Sequence, residues 1–215
     1  GVSSGTVLPM PAPDDPTPIP DLFGVQGKVV LVTGGTRGIG RMIAGGFVAA
    51  GATVIVSSRK ADACAEAAES LSAFGRCQAI PADLSSEAGA QALADQVGTT
   101  FDRLDVLVNN AGAAWGSPAE DHPVDAWDKV MNLNVRGYFI LSQHIAKHSM
   151  IARKSGRIIN IASIAGLGGN PPEMQTIAYN TSKGAVINFT RALAAEWGRY
   201  NITVNAICPG FFPSK

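Results

Sequence analysis

The stretch Val29-Val30-Leu31-Val32-Thr33-Gly34-Gly35-Thr36-Arg37-Gly38-Ile39-Gly40 constrains this chain more than any other. Apolar β-formers run without alternation into a glycine-rich turn, and an apolar, small-residue helical pattern follows from Met42 to Ala50. A continuous apolar strand is one buried on both faces, as in a parallel sheet. Glycines at 34, 38 and 40 permit a tight turn, close backbone approach to a diphosphate, and close packing of helix on strand. The free N–H groups and dipole of the helix N-terminus then favour the negative charge. Spacing alone leaves two readings open. One is a dinucleotide cradle built on Gly34, Thr36, Arg37, Gly38, Ile39 and Gly40. The other is a glycine-rich βα turn without a ligand.

From Gly27 onward the chain alternates short β-rich runs with longer helical ones. Strands are predicted at Lys28–Val32, Thr53–Ser57, within 76–81, at Leu104–Val108, Gly156–Ile161 and Thr203–Ile207. Helices are predicted over 61–74, 87–97 and 178–200, with a short and then a long helix between 124 and 154. Repeated βα units of this kind predict one α/β domain over residues 22–215. Its sheet is doubly wound, parallel and Rossmann-like, with strand order 3-2-1-4-5-6 and right-handed crossovers. Ligands are then expected outside the carboxyl ends of the strands. A hydrophobic fraction of 46% against 16% charged residues suits a sheet covered on both faces. Residues 1–21 read differently. Pro9, Pro11, Pro13, Pro16, Pro18 and Pro20 alternate with small and acidic residues. That pattern predicts a flexible, extended arm, and it lacks the basic and apolar regions of a secretory signal.

Charge and composition narrow the partners. Lys+Arg 17 balances Asp+Glu 17, which gives no electrostatic case for nucleic acid or an anionic membrane. No apolar run reaches the ~18 residues of a membrane span. Cys64, Cys77 and Cys208 are scattered, as in a protein of a reducing compartment, and a cytoplasmic location is expected. His144 and His148 share a helical i, i+4 spacing that two metal ligands would also share, but no third ligand lies near in sequence. No metal site is expected.

Three positions carry chemistry. Where a carboxylate would meet a ribose 2′-hydroxyl, after the second strand, this chain has Ser57, Ser58, Arg59 and Lys60. Arg59, with Arg37 in the glycine turn, suits the forked, charge-assisted grip of a 2′-phosphate, and so NADP(H) rather than NAD. The alternative is two solvated surface arginines. Tyr179 and Lys183 lie i, i+4 on one helix face. A tyrosine hydroxyl ordinarily titrates near 10, and a neighbouring ammonium favours its charged form. Ser163, just after the fifth strand, adds a hydroxyl that can bond a substrate oxygen. Such a set protonates a ketone oxygen as hydride reaches the carbon. Taken alone, the same spacing also fits a half-buried tyrosine and a snorkelling lysine.

The ordered motifs resemble those of the short-chain dehydrogenases/reductases over nearly everything after the arm. They are Thr33-Gly34-x-x-x-Gly38-x-Gly40, Asp83, Asn109-Asn110-Ala111-Gly112, Asn134-Val135-Arg136-Gly137, Ser163, Tyr179-x-x-x-Lys183 and Pro209-Gly210. The resemblance implies that Tyr179 is the acid/base and that Lys183 binds the nicotinamide ribose and tunes the tyrosine. Ser163 would orient the carbonyl, and Asn134 would kink its helix and hold a relay water. Asp83 and Leu84 would lie at the adenine, with Ser58 and Arg59 nearby. Asn109 would run along the adenosine side, Asn110, Ala111 and Gly112 would line the cofactor, and Pro209 and Gly210 would sit by the nicotinamide. It also implies a homodimer or homotetramer formed through the helices bearing Phe139, Ile140, Ile145, Val186, Ile187, Phe189 and Leu193.

Two departures stand out. Ser163 and Tyr179 are 16 apart, a longer separation than the family shows, with the insert near Gly168–Gln175 expected to reshape one pocket wall. The family also continues past its Pro-Gly into a lid and a seventh strand, so further chain is expected after Lys215. The function expected is NADPH-dependent reduction of a ketone, such as a 3-oxoacyl thioester. Oxidation of a sugar acid or another secondary alcohol is the alternative, and a non-catalytic NADP-binding sensor is the alternative of another class. Trp115, Met174, Phe211 and Phe212 are expected either in an apolar pocket or in the core.

Overall fold

A computed structural model of the chain describes residues 23–212. The arm read over residues 1–21 lies outside the described residues. Six strands form one sheet: β1 (Val29–Thr33), β2 (Thr53–Ser57), β3 (Cys77–Ala79), β4 (Val106–Asn109), β5 (Gly156–Ile161) and β6 (Ile202–Ile207). Their spatial order is β3-β2-β1-β4-β5-β6, as expected, and every neighbouring pair is parallel. The first strand runs one residue further than predicted because Thr33 pairs with Ser57. The fourth starts two residues later and extends to Asn109, which pairs with Asn160.

The helices are α1 (Gly38–Ala49), α2 (Ala61–Ser72), α3 (Glu87–Thr100), α4 (Val124–Met131), α5 (Gly137–Ile145), α6 (Ile151–Arg153) and α7 (Ile177–Trp197). The short-then-long pair expected over 124–154 is a continuous helical run. Two π-helical turns, Asn132–Arg136 and Ala146–Met150, divide it into α4, α5 and α6.

Side-chain alternation along the strands builds the three layers. Leu31, Ile55, Leu107 and Ile158 pack on one face with Leu93 of α3, Leu141 of α5 and Leu193 of α7. Val30, Val32, Val54, Val56 and Val108 pack on the other with Ala44 and Val48 of α1 and Ala67 and Leu71 of α2. Both faces are therefore apolar, and the strands read as continuous rather than alternating.

The order of the strands places the site. The chain winds from β1 outward to β2 and β3, then returns to β4 and winds the other way. A crevice opens at that reversal, between the carboxyl ends of β1 and β4. Among the described residues, no helix is long and apolar enough to cross a membrane.

Candidate active site

Thr33 ties the two lips of the crevice together. Fully buried at the end of β1, its Oγ1 donates to the Val108 carbonyl (3.3 Å) and accepts from the amides of Asn110 (2.9 Å) and Ala111 (3.1 Å). Asn110 answers through its side chain, donating to the carbonyls of Thr33 (3.0 Å) and Gly34 (3.2 Å). Gly34 takes φ +64°, and a Cβ there would lie 2.8 Å from the Asn110 amide nitrogen. A side chain at Gly40 would strike the Gly34 carbonyl and the same amide. Close approach thus requires both glycines, and the positive φ requires Gly34 a second time.

Helix α1 starts from this turn without help. Its N-cap, Arg37, gives no side-chain hydrogen bond, and its first turn holds no acidic residue. By contrast, α3 is capped by Ser86, which accepts from the Gly89 amide, and carries Glu87 in its first turn. The leading amides of α1 are therefore available to an anion.

Arg37 and Arg59 are exposed, and among the described residues neither joins an ion pair. Ser58 lies beside Arg59, its hydroxyl 3.1 Å from the Cys64 sulfur. Asp83, also exposed, accepts from the amide (3.0 Å) and hydroxyl (2.7 Å) of Ser85. Those bonds, with Arg59 nearby, hold its carboxyl below the usual range. The Leu84 side chain is in the core, which leaves only its backbone for a ligand.

Asn109 corrects the expectation for the adenosine side. It is 1% exposed and turned inward, donating to Ser142 Oγ (3.0 Å) and to Asn160 Oδ1 (2.9 Å). Asn160 in turn donates to Thr190 Oγ1 (2.9 Å). Successive residues on a strand face opposite ways, so Asn109 belongs to the interior and Asn110 to the crevice.

The second half of the site gathers around α7. Lys183 is 3% exposed, and its Nζ donates to the Ile161 carbonyl at 2.6 Å. The ammonium lies 5.6 Å from the ring centroids of both Tyr179 and Tyr138. Burial pushes Lys183 down to about 8, opposed by the neighbouring Cys208. Tyr179 is half-buried, and its hydroxyl makes no hydrogen bond among the described residues. Ser163 caps a short 3-10 turn by accepting from the Ala165 amide (3.1 Å), and its hydroxyl hydrogen finds no acceptor among the described residues. The Pro209 carbonyl accepts from the Ile164 amide (3.1 Å), which holds Pro209-Gly210 beside Ser163.

Asn134 sits in the first π turn, a feature often found at functional sites. Its Oδ1 accepts from the Ala113 amide (2.8 Å), and its Nδ2 donates to the Ala113 carbonyl (2.9 Å) and to Ser182 Oγ (3.0 Å). Ser182 donates to the Tyr179 carbonyl (2.7 Å). Gly112 lies against the Asn134 side chain. One buried chain of bonds therefore joins the β4 loop, the π turn and the helix turn that carries Tyr179 and Lys183. Ser182 and Tyr138 are parts of this site that sequence reading passed over. The available signal was spacing: Tyr138 is i+4 from Asn134, and Ser182 lies between Tyr179 and Lys183.

The insert forms a cleft. Residues 168–172, Met174 and Gln175, with Ser117, Ala119 and the start of α7, line a cavity of about 300 Å³. Asn170 fastens it by donating to Thr176 Oγ1 (3.2 Å) and Asn180 Oδ1 (3.1 Å), and Ser117 donates its amide to the Gln175 carbonyl (2.8 Å). Trp115, Met174, Phe211 and Phe212 are all exposed, so none of them lies in the core, and Met174 lines this cavity. His148 pairs with Asp95 at 3.0 Å and stacks with His144. Among the described residues no cluster of three or more His, Cys, Asp or Glu could hold a metal.

The family model for short chain dehydrogenases matches residues 28–215, and this chain belongs to that family of oxidoreductases. The rhamnolipids biosynthesis 3-oxoacyl-acyl-carrier-protein reductase of Pseudomonas aeruginosa is 50% identical over 196 residues, covering 90% of this chain and 76% of that protein. A 2-dehydro-3-deoxy-D-gluconate 5-dehydrogenase of Pseudoalteromonas atlantica is 40% identical over 191 residues, covering 88% and 74%. Among solved structures, the Pseudomonas aeruginosa RhlG/NADP active-site complex superposes with a TM-score of 0.84 at 49% identity, covering 90% of this chain and 76% of that one.

Proposed function

We propose that the protein reduces a ketone using NADP(H), and that the ketone is a 3-oxoacyl thioester. The observation that carries the reading is the grouping of Tyr179, Lys183, Ser163 and Asn134 at the carboxyl ends of β4 and β5, with Lys183 buried between two tyrosine rings. Tyr179 donates a proton to the ketone oxygen and recovers it in the reverse reaction. Ser163 donates its free hydroxyl hydrogen to the same oxygen. Lys183 holds ribose hydroxyls and, by its charge, stabilises negative charge on the Tyr179 oxygen. Asn134 fixes the π turn against α7, which sets where Tyr179 and Lys183 stand, and its turn supports a relay water. When bound, the cofactor supplies the hydride or accepts it.

The cradle suits that cofactor. Gly34, Thr36, Gly38, Ile39 and Gly40 surround the uncapped start of α1, and a Cβ at Gly34 or Gly40 would strike the Asn110 side chain and distort that turn. Arg37 and Arg59, in no ion pair among the described residues and with Ser57 and Ser58 where a carboxylate would oppose them, would grip a 2′-phosphate. Asp83 and the Leu84 backbone border the adenine. Asn110, Ala111 and Gly112 line the middle, with Pro209 and Gly210 at the nicotinamide.

The thioester is preferred to a sugar acid because the more similar relative is the 3-oxoacyl reductase, at 50% against 40% identity. Met174 and Ile177, exposed at the cleft, also suit an acyl chain better than a hydroxylated one. NADPH consumption with a 3-oxoacyl thioester, a keto sugar acid and a simple ketone tests the reading. Fastest turnover of the thioester supports it. Preference for the sugar acid transfers the assignment to the other relatives' chemistry. Binding without turnover of any ketone would make the protein a sensor.

Assembly belongs to the same proposal. Phe139 is 47% exposed on α5 and meets Phe189 of α7 edge-on at 6.5 Å, so an apolar face remains beyond the one facing the sheet. A homodimer or homotetramer closing on this face is the expected state, and light scattering at micromolar concentration checks it.

A further inference from the structure

Tyr138 lies on α5, one helical turn after Asn134 and directly beyond the π turn, and its side chain is 2% exposed. It packs with Ala162 and Val186, against the stretch that carries Ser163 and the face of α7 that carries Lys183. Its hydroxyl donates to the Ile161 carbonyl at 3.3 Å, the same oxygen that accepts from Lys183 Nζ at 2.6 Å. Its ring lies 5.6 Å from that ammonium. Burial, with Tyr179 nearby, pushes the Tyr138 hydroxyl far above its ordinary range, so it remains a neutral donor and never competes as an acid or base.

We propose that Tyr138 is a positioning residue for Lys183, backing the ammonium with its ring and sharing the Ile161 carbonyl through its hydroxyl. The inference rests on the reading of Lys183 as the cofactor and tyrosine partner. An ammonium this deeply buried loses hydration, and an aromatic face restores part of that loss. The shared carbonyl matters when Lys183 turns toward a ribose. A buried carbonyl without a donor is costly, and the Tyr138 hydroxyl keeps this one bonded. Lys183 is therefore held in place yet released without leaving an orphan behind. The titratable groups around the ammonium are Tyr138 on α5, Tyr179 on α7 and Cys208 after β6.

The test measures Lys183 itself in the ligand-free protein. Acetylation of Lys183 by acetic anhydride, followed by mass spectrometry across pH, reports its ionisation in wild type, Tyr138→Phe and Tyr138→Leu. Wild type should show a midpoint of about 8. Tyr138→Leu removes the ring and should lower it by about half to one unit. Tyr138→Phe keeps the ring and should leave it at or above the wild-type value. Fluorescence titration should show Tyr138→Phe binding NADPH about three- to tenfold more weakly, because the ammonium stays on its only carbonyl. An unmoved midpoint in Tyr138→Leu, or an equal drop in both variants, overturns the ring's role. Unchanged NADPH binding in Tyr138→Phe overturns the shared carbonyl. Wild type that binds no NADPH refutes the function reading instead, and the labelling result still stands. Should Tyr138→Leu fail to fold, Tyr138→Met, which also removes the ring, takes its place, and an unmoved midpoint there overturns the ring's role.

Discussion

The two ends of the sheet use polar side chains in opposite ways. At the amino end, Asp105 precedes β4 with its side chain only 11% exposed, and its partners come entirely from the protein. Oδ2 accepts from the Val29 amide (2.9 Å) and from Arg103 Nε (3.1 Å), and Oδ1 accepts from Arg153 (3.2 Å). Arg153 also donates to the Leu104 carbonyl (2.8 Å), and Arg103 to that of Gly27 (3.1 Å). At the carboxyl end, the hydroxyls of Tyr179 and Ser163, the guanidinium groups of Arg37 and Arg59, and the leading amides of α1 keep hydrogen-bonding capacity that the described residues do not use. A closed network locks strand ends together. An open set of donors on the same scaffold awaits a ligand. On the proposed function, the difference separates polar groups that build the fold from those that would serve the reaction.

The sharpest way to break that division is Tyr179→Phe. It removes one open donor and nothing from the core. The turnover number should fall on the order of 10²–10⁴-fold, with NADPH binding by fluorescence nearly unchanged. A fall in melting temperature with activity retained would place Tyr179 among the structural groups.

Asp105→Ala asks the opposite question. Removing the acceptor leaves two guanidinium groups and a backbone amide short of a partner, at a cost of about 2–4 kcal/mol in denaturant unfolding. Activity per folded molecule should hold. The same carboxylate gives the protein an acid sensitivity. Its bonds to Val29, Arg103 and Arg153 outweigh the penalty of burial and hold its pKa below the usual value. The folded state therefore binds that proton less readily than the unfolded chain does. The stability it contributes is fully present above the unfolded carboxylate range and is lost as pH falls through the folded value. Unfolding of wild type at neutral pH and in acid should show the loss, and Asp105→Asn should flatten it.

Arg59→Ala should have a smaller and more selective effect. The Michaelis constant for NADPH should rise about 10–100-fold, the worth of one charge-assisted bond, while that for NADH barely changes. Equal losses with both would return Arg59 to the solvated surface.

Much of this was legible in the chain. The continuous apolar strands, the glycine turn and the order of βα units fix the sheet and its reversal point, and the i, i+4 spacing of Tyr179 and Lys183 puts both on one face of α7. Two kinds of information were not local. The side on which Asn109 falls depends on strand register, and its motif neighbour Asn110 obscured it. The roles of Tyr138 and Ser182 depend on α5 and α7 meeting across the Ile161 carbonyl and the Asn134 amide, through contacts about 20 to 50 residues apart in sequence. The π turns likewise leave no mark in apolar spacing, and the short and long helices read over 124–154 are one run that they divide.

The central claim is that Lys183 tunes the proton transfer at Tyr179 rather than merely holding the cofactor. The most direct measurement is the pH–rate profile of alcohol oxidation at saturating NADP⁺, for wild type and Lys183→Ala. Loss of the buried ammonium should move the rise of rate with pH to higher pH, beyond any uniform loss of rate. A profile scaled down but unmoved would contradict the account and leave Lys183 a ribose ligand only.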